Sequence, residues 1–325
     1  MKFRKLGTSD LTVSEVSLGC WTLGGPNWSK GSPIGWRDVD ITEAKAAVDA
    51  ALDAGVNHFD NADIYGNGTA ERRLSDVLGE RKKKVIIATK VGHMWGSAGH
   101  CYEPQHIRHQ CEQSLINLRR DVIDLYYFHH GDFGENNQYL DDAIDMMRQL
   151  KQEGKIRHIG LSAYSTNHFL TLVPKIEPVC LQAHCNLLDQ QYIHEQSPVA
   201  KMMRTHGLSL VCFGPLGQGL LLGKFDPKNP PSFEDGDNRK GKAAFTREEL
   251  EKLVPKIEAV KQRFGSDIRD LARVAVQFLL SHDVVGCAIP GFRNPSQVGC
   301  NVSGADKPLS KDDVAFLKTL FPYGK

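Results

Sequence analysis

Short, largely apolar runs alternate with longer amphipathic stretches along almost the whole chain. Glu15–Gly19, Val56–Asp60, Val85–Lys90, Val122–His129, Arg157–Ser162, Val179–His184, Ser209–Phe213 and Val284–Ile289 are runs of five to eight residues bounded by turn-forming positions. Such runs read as strands buried on both faces. Between them apolar residues recur at helical spacing. Ala44, Ala47, Val48, Ala51 and Leu52 follow the capping candidates Asp40 and Thr42 and stop at Gly55. Ile107, Cys111, Leu115 and Leu118 follow Pro104, and Leu140, Ile144, Met147 and Leu150 precede Gly154. Further helices are expected from Ala70 to Gly79, briefly after Ser165-Thr166-Asn167, from Ser197-Pro198 to Gly207, over 246–264 and 267–281, and from Asn294-Pro295. A tail helix is capped by Ser310 and Asp313. Residues 2–15 read as a hairpin around Gly7-Thr8-Ser9-Asp10. Two stretches break the rhythm: the long loop to residue 40, rich in Gly, Pro and Trp, and the Pro/Asp/Gly-rich 225–240 segment, which reads as a mobile loop.

Strands alternating with helices imply parallel pairing. Eight such repeats in 325 residues, with no break in composition, fit one closed (β/α)8 barrel over residues 1–325 better than an open doubly wound sheet. The charges nearly cancel, 40 basic against 39 acidic, so the chain has no electrostatic footprint for nucleic acid or an anionic membrane. No apolar run approaches the ~20 residues that span a bilayer. The first residues lack the apolar core of a signal peptide, and the eight cysteines include no Cys-x-x-Cys pair. Buried thiols in a reducing cytoplasm are the expectation. His100, Cys101, His106, His109 and Cys111 match no structural zinc spacing, and no metal is expected.

The chemistry gathers at strand ends. Asp60 closes one strand with Tyr65 five residues on, Lys90 closes the next and His129 the one after; His130 follows directly, and spacing does not choose between the two histidines. In a parallel barrel those ends open on one face. A phenol with a reference pKa of ~10 is a poor acid near neutrality. Lys90 beside it would stabilise phenolate and lower that value, Asp60 would hold the ammonium, and the imidazole would donate to a carbonyl oxygen. The set can polarise and protonate a carbonyl but has no evident nucleophile–base pair, so the electrons should come from a hydride donor. Lys90 as a Schiff-base lysine is the rival reading.

These residues resemble the aldo-keto reductase superfamily over nearly the whole chain. The family's Asp-x-Ala-x-x-Tyr motif stands as Asp60-Asn61-Ala62-Asp63-Ile64-Tyr65, its strand-three lysine as Lys90, and its Asp-Leu-Tyr-x-x-His motif as Asp124 to His129, which selects His129 over His130. The resemblance implies a TIM barrel with an N-terminal β-hairpin plug and extra helices before helix 7 and at the C-terminus. It also implies Tyr65 as proton donor tuned by Lys90 and Asp60.

No dinucleotide fingerprint follows the first strand. A barrel binds phosphates with the loops after strands seven and eight and a nearby helix N-terminus, and Arg293 beside Asn294-Pro295 suits that task. The resemblance sharpens this. Phe213, Gly214, Pro215, Leu216, Gln218 and Lys224 fall in the segment that packs on a nicotinamide and wraps its pyrophosphate. Gly291, Arg293, Gln297 and Asn301 match the adenosine end, Ser162 and Gln182 the carboxamide end, and Trp21 the first loop. Ala163 stands where the family usually has Asn, and Phe213 where it has Tyr or Trp. The implied cofactor is NADPH/NADP+, with NADH as the alternative. The implied substrate is a small aldehyde, ketone, sugar or polyol, admitted past Trp21, Trp28, Trp36, Trp95 and the 225–240 segment. The implied state is a monomer or homo-oligomer. The rivals within the resemblance are an NAD-dependent sugar or polyol dehydrogenase and a cofactor-bound regulatory module like the β-subunits of potassium channels.

Overall fold

The computed structural model describes residues 1–324. Strands β1 (Phe3–Lys5) and β2 (Thr12–Ser14) form an antiparallel hairpin. Then come β3 (Leu18–Gly19), the small antiparallel pair β4 (Trp28–Ser29) and β5 (Ser32–Pro33), α1 (Ile41–Asp53), β6 (His58–Asp60), α2 (Thr69–Leu78), β7 (Ile86–Val91), α3 (Pro104–Leu118), β8 (Ile123–Phe128) and α4 (Leu140–Gln152). The second half runs β9 (Ile156–Ser162), α5 (Thr166–Ile176), β10 (Cys180–His184), α6 (Pro198–His206), β11 (Ser209–Phe213), α7 (Arg247–Phe264), α8 (Ile268–Leu280), β12 (Val285–Ile289), α9 (Pro295–Val302) and α10 (Lys311–Leu320).

The strands β3 and β6 to β12 form one eight-stranded sheet, every neighbouring pair parallel. The sheet closes where the segment around β3 meets β12: the Ser17 amide donates to Ala288 O at 2.9 Å, Ala288 to Glu15 O at 3.0 Å and Gly19 to Pro290 O at 3.0 Å. The result is a (β/α)8 barrel with α7 added before its seventh helix, α8, and α10 at its end. The hairpin seals the N-terminal end of the barrel. Leu6, Leu11 and Val13, all buried, pack into the strand interior with Ala88, Leu125, Tyr127, Cys180, Val211 and Cys287. Arg4 ties the hairpin down, donating to Leu280 O at 2.9 Å and Val285 O at 3.0 Å. Burial of each such aliphatic side chain contributes roughly 1.5–3 kcal/mol, so the plug is a core element.

Local signals act as their chemistry predicts. Asp40 caps α1 by accepting from Thr42 and Glu43, Ser197 and Asn294 cap helices that begin at Pro198 and Pro295, and Ser310 and Asp313 form a reciprocal capping box. Three expectations need correction. Several strands begin one or two residues late; the Val56 amide closes the end of α1 on Ala51 O at 2.9 Å and is not free for a ladder. The helix after Ser165 is not brief: α5 runs eleven residues, with Pro174 in its last turn and a left-handed Glu177 ending it. The 225–240 segment is no free loop. Gly35 N donates to Gly236 O at 3.1 Å, Asn238 N and Nδ2 donate to Gly35 O at 2.8 and 3.0 Å, and Asp237 and Asn238 are buried. It forms a strap stitched to the 20–40 loop.

All eight cysteines are free and buried. His100 stacks on Tyr139 at 4.5 Å, His106 bonds Met94 O at 2.8 Å and Cys111 lies in the core; among the described residues no three His, Cys, Asp or Glu side chains gather as a metal ion would need. No helix among the described residues is long and apolar enough to cross a membrane.

Candidate active site

Parallel closure puts the C-terminal ends of all eight strands on one face, and alternation along β6 sends His58 and Asp60 to the same side. At this face Lys90 Nζ donates to Asp60 Oδ1 at 2.5 Å and to Asn61 O at 2.5 Å, and stands 3.5 Å from the Tyr65 hydroxyl. The lysine is fully buried and the carboxylate nearly so. Gln182 Nε2 donates to Asp60 Oδ2 at 2.7 Å, so both carboxylate oxygens are engaged. A buried ammonium is tolerated only with such partners.

Tyr65 is held from behind. A turn closes from its amide to Ala62 O at 3.2 Å, and Gly66 follows with φ 59°. A Cβ at Gly66 would lie 2.2 Å from Gly24 O, so only glycine lets this turn meet the 20–24 segment. Trp21 from that segment stacks on the Tyr65 ring, centroids 5.8 Å apart and 22° from parallel, and its indole N–H donates to Ile34 O at 2.9 Å. His129 meets Tyr65 edge-on at 6.0 Å; it is buried, and its Nδ1 has no hydrogen-bond partner.

Electrostatics correct one expectation. Burial, reinforced by the Asp60 carboxylate, pushes the Tyr65 phenol well above its ordinary range. Asp60 offsets the Lys90 charge at contact distance, so in the resting site burial outweighs the lysine's pull on the phenol and the hydroxyl is held protonated. Burial likewise drives His129 well below the ordinary imidazole range, with His93 and Lys90 adding to the effect, so its ring is neutral.

The other expected residues line the same face. Ser162 ends β9, buried, its hydroxyl without a partner. Phe213 ends β11, next to His184 at 5.5 Å. Gly214, buried Pro215 and Leu216 lead into a short turn where Gln218 donates to Asn238 Oδ1 at 2.8 Å. Lys224 reaches over the Phe225 ring at 5.3 Å; desolvation and the Arg239 and Arg293 charges hold it below the usual ammonium range. Arg293 has a buried Nη1 without a partner, and burial together with Arg37 and Arg239 holds its guanidinium below its usual range. Gln297 and Asn301 are anchored from the loop side. Asn301 Nδ2 donates to Gly291 O at 3.1 Å, and Gln297 Oε1 accepts from the Arg293 amide at 2.9 Å, so both brace the 291–293 loop. Trp36 joins the wall edge-on to Trp21 at 5.5 Å, whereas Trp95 packs on His100 and Trp28 lies against the strap at Gly236.

Four residues escaped the sequence reading. Arg239 clasps Asp237 at 2.7 and 3.0 Å and covers Trp36 at 4.7 Å; Arg37 lies close enough for its charge to act on Arg293. His93 lies 4.4 Å from His129, and Tyr164 faces His93. The signal for His93 was its place three residues beyond Lys90. The partially satisfied face, with the free Ser162 hydroxyl and unpaired Arg293 nitrogen, fits a dinucleotide laid across the mouth from β9 to α9.

The sequence profile of the Aldo/keto reductase family matches residues 15–321. An uncharacterized oxidoreductase of Bacillus subtilis, YqkF, is 31% identical over 98% of this chain and 96% of its own length. The NADH-specific methylglyoxal reductase of Escherichia coli is 27% identical over 98% of both chains. Among solved structures, the glycerol dehydrogenase of Gluconobacter oxydans superposes with a TM-score of 0.80 at 26% identity, covering 98% of this chain and 94% of that one.

Proposed function

The chain belongs to the aldo/keto reductase family, whose members are oxidoreductases of carbonyl and alcohol groups, and from that premise we propose that it is an NADP(H)-dependent reductase of small carbonyl compounds in which Tyr65 supplies the proton. The observation that carries this reading is the protonated Tyr65 hydroxyl 3.5 Å from a buried Lys90 that is itself locked to Asp60.

Bound at this face, the nicotinamide would supply the hydride. The chain's own residues do the rest. His129, neutral and with a nitrogen free, orients the carbonyl oxygen toward Tyr65 by donating a hydrogen bond. As negative charge grows on that oxygen, the Tyr65 hydroxyl gives up its proton. Lys90, already in place, stabilises the phenolate left behind, and Asp60 keeps the ammonium from drifting. Trp21 and Trp36 exclude water from one side of the phenol. Ser162 and Gln182 would hold the carboxamide, Phe213 would stack on the ring, and Gly214, Pro215, Leu216, Gln218 and Lys224 would follow the pyrophosphate, with Gly291 and Arg293 at the adenosine end. The crowding of Arg37, Arg239, Lys224 and Arg293 supports NADPH over NADH, because like charges gathered on one rim favour the more anionic ligand.

Fluorescence titration with NADPH and NADH, followed by turnover of a reactive aldehyde, tests the proposal. Tighter NADPH binding with turnover is the expected result. Tighter NADH binding would favour the NAD-linked alternative suggested by the Escherichia coli relative. Binding without turnover would favour a regulatory role.

A further inference from the structure

The wall facing Trp21 has a different character from the tryptophan side. Beyond Lys90 the chain turns at Gly92, whose φ is 147° and whose Cβ would lie 2.6 Å from the Tyr102 hydroxyl; only glycine makes this turn. His130 fixes the turn through Gly92 O at 2.6 Å, and Tyr102 fixes His130 through its carbonyl oxygen at 2.8 Å. The turn throws His93 back over the mouth, its ring 4.4 Å from His129. Across a gap from the β9 end, the Tyr164 hydroxyl stands 3.4 Å from His93 Nε2, and the Tyr164 ring meets Phe213 edge-on at 6.5 Å. Tyr164 is 55% exposed. One side of the mouth is thus aromatic, Trp21 with Trp36, and the other carries a linked imidazole and phenol.

A wall of this kind suits a molecule with an apolar face and hydroxyls on its edge. Resting on the reductase reading above, we propose that His93 and Tyr164 form a hydroxyl-reading pair. They select carbonyl substrates that carry a hydroxyl close to the reacting carbon, as α-hydroxy aldehydes and ketones do. The carbonyl oxygen sits between Tyr65 and His129, and the neighbouring hydroxyl falls toward the ring that abuts His129. Burial, with the His130 and Lys90 charges adding to it, holds His93 near a pKa of about 4, and the half-open Tyr164 phenol keeps its proton at neutral pH. At neutral pH the imidazole therefore offers one donor and one acceptor, and the phenol offers a donor. A substrate hydroxyl that settles beside the pair, about 3 Å from each atom, can accept from one and donate to the other.

The test compares glyceraldehyde with propanal, which share a three-carbon chain and differ in their hydroxyls. The wild-type protein should prefer glyceraldehyde in kcat/KM. His93→Phe and Tyr164→Phe keep a ring in place and remove the polar atoms. Each should reduce the glyceraldehyde-to-propanal ratio about tenfold, the loss appearing mainly as a raised KM for glyceraldehyde. A ratio unchanged in both variants, or a wild-type protein that reduces propanal as well as glyceraldehyde, overturns the pair. A wild-type protein that binds NADPH but reduces neither aldehyde fails one step earlier, removing the reductase reading and this inference with it.

Discussion

Charge at the centre of the site is organised by contact. Lys90 is buried, yet every donor it can aim finds an oxygen: Asp60, Asn61 O and, more loosely, Tyr65. Asp60 is shared between Lys90 and Gln182. The consequence is a phenol that keeps its proton until a carbonyl arrives. At the far end of the groove the logic is reversed: Arg293 has a buried nitrogen with no partner and two further guanidinium groups nearby. Removing that side chain should therefore act on cofactor choice. Arg293→Ala is expected to weaken NADPH roughly 30–150-fold and NADH much less, as follows from losing one charge-assisted phosphate contact of about 2–3 kcal/mol. Fluorescence titrations with the two cofactors measure it, and equal losses would show that Arg293 does not read the extra phosphate. The catalytic candidates were legible at this scale because acid, phenol, amine and imidazole at successive strand ends form a chemical sentence. The state of Tyr65 was not, because the balance between burial and a neutralised lysine depends on distances that no spacing records.

Among the elements, strands and caps carry most of their own instructions. Asp40 bonds two of the free amides of α1, so Asp40→Ala should lower stability by about 1 kcal/mol. Asp40 touches none of the site residues, so a urea midpoint should fall while the KM for aldehyde holds; a changed KM would mean that α1 positions the site. The alternation of apolar runs and helical stripes made the eight repeats readable, because in a parallel barrel both faces of each strand are buried. The strap was not readable. Its Pro, Asp and Gly residues look like those of a free loop, and its order comes from Gly35, about two hundred positions away, and from Gln218. Helical spacing puts Gln297 and Asn301 on one face, but it does not show that one end of each side-chain amide is held by the backbone of the loop they brace.

The whole molecule adds a dependence on pH that no single element reveals. His58 lies beneath Asp60 inside the barrel, fully buried, and burial lowers its pKa from 6.5 to about 4. The unfolded chain binds this proton more readily than the folded one, so the contribution is complete above pH ~6.5 and fades as pH falls to ~4. At 1.36 kcal/mol per pH unit its size is about 3 kcal/mol. His129 acts with the same sign. The buried carboxyls of Asp63 and Glu71, whose pKa values burial raises, act with the opposite sign. The effect of His58 is isolated by comparison: urea unfolding of His58→Gln should lose less stability between pH 7 and pH 4.5 than the wild type, and parallel losses would assign the acid sensitivity elsewhere.

Proton delivery at this site turns on one hydroxyl. Replacing Tyr65 with Phe removes only that oxygen and leaves the ring against Trp21. With NADPH affinity and aldehyde turnover measured on the same sample, Tyr65→Phe should bind NADPH within about twofold of wild type while reduction falls by roughly 10²–10⁴-fold, the range for losing a positioned acid. Turnover close to that of the wild type, with binding intact, would contradict the assignment of Tyr65 as the proton donor.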